Sequence, residues 1–151
     1  MYFQYTHVNE IICLEQLAEK LLSQAALTPG LSEVYMNLLT QSADTNEIYL
    51  EEVPGPFIGK TYEEVEREIV SIKEKDIILI GWSTKIRKKV NGEVVVNGKG
   101  EPIFENEIII NPKSSTNGAY SKKHKFKKGD SLFLIAFEKP ELADYFDGNS
   151  K

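Results

Sequence analysis

Cysteine is almost missing from this chain. Cys13 stands alone, which excludes an intramolecular disulfide framework and fits a reducing compartment. Its bland reading, a small buried apolar residue, outweighs a reactive thiol. Histidine is nearly as scarce: His7 sits close to the N-terminus and His124 inside a lysine-rich segment. No cysteine–histidine cluster therefore offers a zinc site. The nucleophile elbow G-x-S-x-G, the dinucleotide fingerprint G-x-G-x-x-G and the P-loop are all missing, and the carboxylates, though plentiful, are scattered. An enzyme is disfavoured, and no catalytic or metal-ligating residue is assigned. No run of eighteen apolar residues exists to span a bilayer, and no basic start followed by an apolar stretch marks a signal peptide. Excess positive charge is also missing. A net charge of −5 argues against a nucleic-acid partner.

What is present is enough for a core. The chain has 151 residues, 41% of them hydrophobic, which suits one domain or one domain plus an appendage. The organising stretch is LEQLAEKLLSQAALTPGLSEVYMNLL, Leu14 to Leu39. Leu14, Leu17, Ala18, Leu21, Leu22, Ala25 and Ala26 follow the i, i+3, i+4, i+7 spacing of one helical face. Thr28-Pro29-Gly30 stops that helix, since proline lacks the amide a continuing helix needs and glycine tolerates left-handed geometry. Ser32 is expected to cap a second helix carrying Val34, Tyr35, Leu38 and Leu39. Such a hairpin must bury its apolar face, on its own domain or on a second copy of the chain.

The main fold is expected to follow from Asn46. Residues 8–14 read as a short strand or the lead-in to the first helix. Asn46 to Val53 alternates, with Ile48 and Leu50 set against Glu47, Tyr49 and Glu51, as in a half-buried strand. Thr61-Tyr62-Glu63-Glu64 has the form of a capping box opening a helix with Tyr62, Val65, Ile69 and Ile72 on one face and a solvated acidic face opposite. Asp76 to Trp82 is nearly all apolar, as in a strand buried on both sides. Asn91-Gly92 suits a type I′ turn; the lysine-rich arm before it reads as a soluble edge. Asn97 to Gly100 is a second turn, Glu107 to Asn111 a strand closed by Pro112, and Lys113 to Lys128 a mobile lysine-rich loop. Ser131 to Phe137 is a buried last strand, and Lys139-Pro140-Glu141 opens a short terminal helix. A lone crossover helix followed by short antiparallel strands is an α+β pattern.

Several landmarks occur in a particular order. They are Ala25 to Ser32 in the hairpin, Pro56 to Val65 with its Gly59-Lys60-Thr61-x-x-Glu64 helix entry, the buried Ile77 to Trp82, Ile108-Ile109-Ile110-Asn111-Pro112, and Lys128-Gly129-Asp130-Ser131-Leu132 before the last strand. Over roughly Val8 to Glu138 this order resembles the C-terminal half of an RCK domain (regulator of potassium conductance), also called the TrkA C-terminal domain. The helical pair resembles the crossover hairpin of RCK domains in ligand-gated potassium channels. Two departures stand out: the arm from Lys85 to Gly100 looks like an insertion, and the lysine loop is longer than usual.

Met1-Tyr2-Phe3-Gln4 resemble a protease-tag remnant, so residues 1–7 are expected to be a tag remnant or linker; the resemblance implies that a crossover dimerisation hairpin (8–45), a β-α-β-β-β regulatory lobe with a short C-terminal helix (46–146) and a tail (147–151) follow. It implies a gating-ring domain of a potassium channel or potassium transport system, on the cytoplasmic side of the cell membrane. Its partners would be a second copy, an octameric ring in the full protein, and the membrane-embedded pore. Leu17, Leu21, Leu22, Tyr35, Leu38 and Leu39 are the expected grip between copies, with an intrachain core as their alternative. Trp82, Arg87, Asn111, Pro112 and Lys113 are the expected ligand cleft, for cyclic di-AMP or a divalent cation. A nucleotide of the NAD type would bind the Rossmann half that precedes the hairpin in that family. The rival reading is a ligand-independent dimerisation or scaffold domain of another cation transporter.

Overall fold

The computed structural model describes residues 13–40, 42, 44–72, 76–114 and 121–146. The expected strand over 8–14 falls almost wholly outside them. The chain divides into two compact units, Met1–Thr40 and Gln41–Lys151.

The first unit is a helical hairpin. Helix α1 covers Leu14–Leu27 and α2 covers Leu31–Leu39. The turn between them is where the proline and glycine predict it, but the cap differs. Gly30, at φ 84°, occupies the N-cap position of α2, and its carbonyl accepts from the Glu33 and Val34 amides. Ser32 lies inside the helix and does not cap it. The left-handed geometry that ends one helix thus starts the next, and only glycine adopts it without strain.

The second unit is α+β. Its elements are β1 (Glu47–Glu52), a 3₁₀ turn (Gly55–Phe57), α3 (Tyr62–Val70), β2 (Ile78–Arg87), the two-residue strands β3 (Lys89–Val90) and β4 (Glu93–Val94), β5 (Phe104–Ile110), β6 (Ser131–Ala136) and α4 (Leu142–Phe146). Four strands form one sheet in the order β1-β6-β2-β5, with every neighbouring pair antiparallel. The last strand therefore slots between β1 and β2, which run parallel and are joined through α3. Asn91 and Gly92, at φ 50° and 87°, make the type I′ turn between β3 and β4.

The core lies on one face of this sheet. Tyr62, Val65 and Ile69 of α3 are buried against Leu79, Trp82, Ile109, Leu132 and Leu134. The capping box forms as the sequence predicts: the Thr61 hydroxyl accepts from the Glu64 amide at 3.3 Å, and Glu64 Oε2 accepts from the Thr61 amide at 2.7 Å. The alternation in β1 has the opposite sense to expectation. Tyr49 packs on the core, while Ile48 and Leu50 are exposed. β2 is not buried on both sides, because Ile78 is exposed beside buried Leu79. The lysine loop is also corrected. Its described end, from Ser121, buries Ser121 and Phe126 and docks on the start of α3, with Tyr62 N donating to His124 O (3.0 Å) and Phe126 N to Lys60 O (2.9 Å).

Candidate functional site

Three features of the surface and core bear on function. The first is the hairpin. Neither α1 nor α2 contains a buried residue, although their composition is strongly apolar. Ala18, Leu21, Leu22 and Ala25 of α1 face Ser32, Tyr35, Met36 and Leu39 of α2 across an entirely apolar groove of about 390 Å³. Leu22 and Leu39 are 71% and 72% exposed. Tyr35 is held across the hairpin by donating its hydroxyl to Gln24 Oε1. Of the expected grip residues, the structure gathers Leu21, Leu22, Tyr35 and Leu39 around this groove; Leu17 and Leu38 lie on the same helices outside its lining. Cys13, at the N-cap of α1, is exposed rather than buried.

The second feature is the expected ligand cleft, which splits. Asn111, at φ 50°, turns the chain after β5 and donates its amide to Ile80 O at 2.8 Å. Pro112 beside it is buried, and the Lys113 carbonyl accepts from the Lys122 amide at 3.1 Å. Arg87 ends β2, opposite Phe104. Seven residues of strand separate it from Ile80, roughly 20 Å. Trp82 is completely buried, in the same strand. Asn111, Pro112 and Lys113 are therefore neighbours, Arg87 is remote from them, and Trp82 presents no surface to a ligand.

The third feature was not legible in the sequence. Asp130, fully buried, accepts from the Thr84 hydroxyl (2.6 Å) and the Lys127 amide (3.1 Å) and faces His124 Nε2 at 3.3 Å. The His124 ring stacks on Trp82, and Phe126 meets both rings edge-on. A buried carboxylate with three polar neighbours is a structural clasp, tying the loop to β2. Around it, Lys122 pairs with Glu66 and Lys60 with Glu68, both at 2.7 Å, so two of the carboxylates expected to face water on α3 hold flanking segments instead. Burial pushes the Tyr62 phenol pKa well above its ordinary value, with the Glu66 charge adding to it; its hydroxyl donates to Leu79 O at 2.9 Å. Among the described residues no group of three or more histidine, cysteine or acidic side chains is placed to hold a metal ion, and no helix is long and apolar enough to cross a membrane.

No curated protein matches the chain. Residues 15–127, three-quarters of its length, match the family described as Castor and Pollux, part of voltage-gated ion channel. The match runs from the first turn of α1 into the lysine loop, taking in the hairpin, β1, α3, β2 and β5. The chain thus belongs to the Castor and Pollux family, and is a domain of an ion-channel protein.

Proposed function

We propose that the chain is an RCK-like regulatory domain whose hairpin pairs it with a second copy, coupling ligand binding to the gate of a potassium-conducting pore. The observation that carries this reading is the hairpin itself. Two amphipathic helices leave every apolar side chain at least partly open and line one uncharged groove. An exposed groove of that kind in a channel-family domain fits a helical partner. The channel family supplies the context, and the split β-α-β lobe with its β6 insertion agrees with the TrkA C-terminal resemblance. A ligand that favours one arrangement of the pair over another would shift its population and so the force on the pore. The reading assigns no catalytic residue and places the domain beside a membrane-embedded pore, on the cytoplasmic side.

The ligand would be cyclic di-AMP or a divalent cation, taken near Asn111, Pro112 and Lys113. The separation of Arg87 from these residues favours the second reading, a scaffold that pairs without a ligand of its own. Melting the protein alone and with cyclic di-AMP, calcium, magnesium, zinc, NAD or AMP separates the two. A ligand bound only by the folded state adds about 2.7 kcal/mol at a hundredfold excess over its Kd, a rise of several degrees at this size. A dose-dependent rise with one compound supports the sensor, and flat melts across the panel support the scaffold.

A further inference from the structure

The lysine-rich segment is a fixed basic surface on an acidic chain. Residues 113–128 hold six lysines and no acidic residue; taking that +6 from the net −5 leaves −11 on the other residues. From Ser121 to Asp130 the segment is a strap bonded along the entry to α3. Gly59 N donates to Phe126 O at 2.8 Å and Glu63 N to Lys122 O at 3.2 Å, flanking the bonds made by Tyr62 and Phe126. Tight turns close both ends, with His124 N donating to Ser121 O (2.9 Å) and Asp130 N to Lys127 O (3.1 Å). His124 and Phe126 pack inward on Trp82, and Lys123, Lys125, Lys127 and Lys128 are left exposed. We propose that this lysine row is a docking surface for an anionic lipid bilayer, which holds the second unit against the membrane that carries the channel.

The four lysines are a surplus, not one half of a set of ion pairs. Each acidic residue of α3 is already engaged. Glu63 pairs with Arg67 at 3.3 Å, Glu66 with Lys122 and Glu68 with Lys60. Glu64 accepts from the Thr61 amide and hydroxyl, and its carboxylate also feels the charge of Lys125. Among the described residues none of Lys123, Lys125, Lys127 and Lys128 forms an ion pair. Four like charges on one fixed ribbon repel one another, and an anionic surface laid across them relieves that repulsion. A flat array of phosphates meets all four at once, whereas a single small anion meets one or two. Ile58, 47% exposed, stands at the edge of the strap beside Gly59. Lysine stems and an aliphatic side chain suit the boundary between headgroups and acyl chains, a layer that an acidic polypeptide does not offer. Proximity is the last argument. A domain of an ion-channel protein is tethered beside a bilayer, so a weak attraction acts at high effective concentration.

The test sediments the full chain with large vesicles of phosphatidylcholine alone or with a one-third share of phosphatidylserine. The expected result is binding to the second only, falling as salt is raised. Lys123→Gln, Lys125→Gln and Lys127→Gln together are expected to weaken it on the order of a hundredfold, at roughly fivefold for each lysine. Trp82 emission, set by the His124 stack, checks that the strap stays docked. Should it shift, Lys127→Gln with Lys128→Gln is the second variant, with a loss of roughly twentyfold. Lys88→Gln, Lys89→Gln and Lys99→Gln make the same change of net charge at exposed positions of the β3–β4 arm and should leave binding almost unchanged. An equal loss from the arm substitutions would reduce the effect to net charge and overturn the proposal, as would failure to bind phosphatidylserine vesicles at low salt. Vesicles left unbound while immobilised polyglutamate retains the chain through the same lysines would overturn it too, and assign the row to an acidic polypeptide.

Discussion

The imidazole of His124 lies flat on the indole of Trp82, with ring centroids 4.7 Å apart and planes 13° from parallel. His124 comes from the lysine loop and Trp82 from the middle strand β2, so the contact fixes a connecting segment to the centre of the fold. Asp130 secures it from the other side. Replacing Asp130→Ala strands the Thr84 hydroxyl and the Lys127 amide. The expected loss is about 3 kcal/mol, with Asp130→Asn losing less because one acceptor survives. Trp82 is the sole tryptophan, so urea unfolding followed by its emission measures both. His124→Ala uncovers the indole and shifts that emission to the red in the folded state.

The capping box at Thr61 gives a pH-dependent prediction. Hydrogen bonds from the Thr61 amide and hydroxyl, in that order, hold the Glu64 pKa below the ordinary carboxylate value, against a small opposing effect of burial. A carboxylate lowered in the folded state stabilises at pH above its unfolded value, about 4.3, and that contribution is lost as pH falls through the folded value. Thr61→Ala is expected to cost about 1 kcal/mol at neutral pH. Melting curves of both proteins should draw closer as the pH drops below 4 without meeting, because the bond from the Glu64 amide to the Thr61 hydroxyl, which the variant lacks, does not titrate.

Gly81 tests the packing of β5. A methyl group there would stand 2.1 Å from Ile109 O and 2.9 Å from Ile110 Cδ1. Because the nearest atom is backbone, Gly81→Ala must displace β5 from β2. A loss of roughly 3 kcal/mol or more is expected from such overpacking. Gly98→Ala, where nothing lies within 4 Å, should be close to neutral in the same denaturation assay.

Tyr62 links helix to sheet through its hydroxyl on Leu79 O. Tyr62→Phe is expected to cost about 1 kcal/mol. With its pKa raised by burial and by Glu66, its phenol stays neutral at pH values where exposed tyrosines ionise. Absorbance titration of the folded protein should show one tyrosine that does not ionise until the chain unfolds in alkali, and its contribution should vanish in Tyr62→Phe.

Local signals were the legible part of the sequence. Thr61 and Glu64, Asn91-Gly92, and Pro29-Gly30 each encode their geometry in two to four adjacent residues, and each forms. The α+β class followed from the spacing of those signals. Burial was harder to read. In β1 the alternation was plain, but its apolar phase, Ile48 and Leu50, faces outward, and Tyr49 turns to the core; alternation gives two faces without saying which is covered. In the loop, lysines masked Phe126, His124 and Asp130, whose burial depends on contacts with α3 and β2 far away in sequence. The candidate cleft joined residues near both ends of β2, a separation that only the register of β5 reveals. The hairpin was read correctly as helical, and its exposed groove is visible only once the helices are placed.

Pairing through that hairpin is the central claim, and Cys13 gives direct access to it. It is the sole cysteine, exposed, and directly ahead of α1. A spin label attached there and read by double electron–electron resonance measures the distance between two copies. The account predicts one narrow distance distribution, abolished by Leu22→Glu with Leu39→Glu. Dipolar modulation that is absent at concentrations where the protein sediments as a dimer, or that survives the hairpin substitutions unchanged, would contradict it.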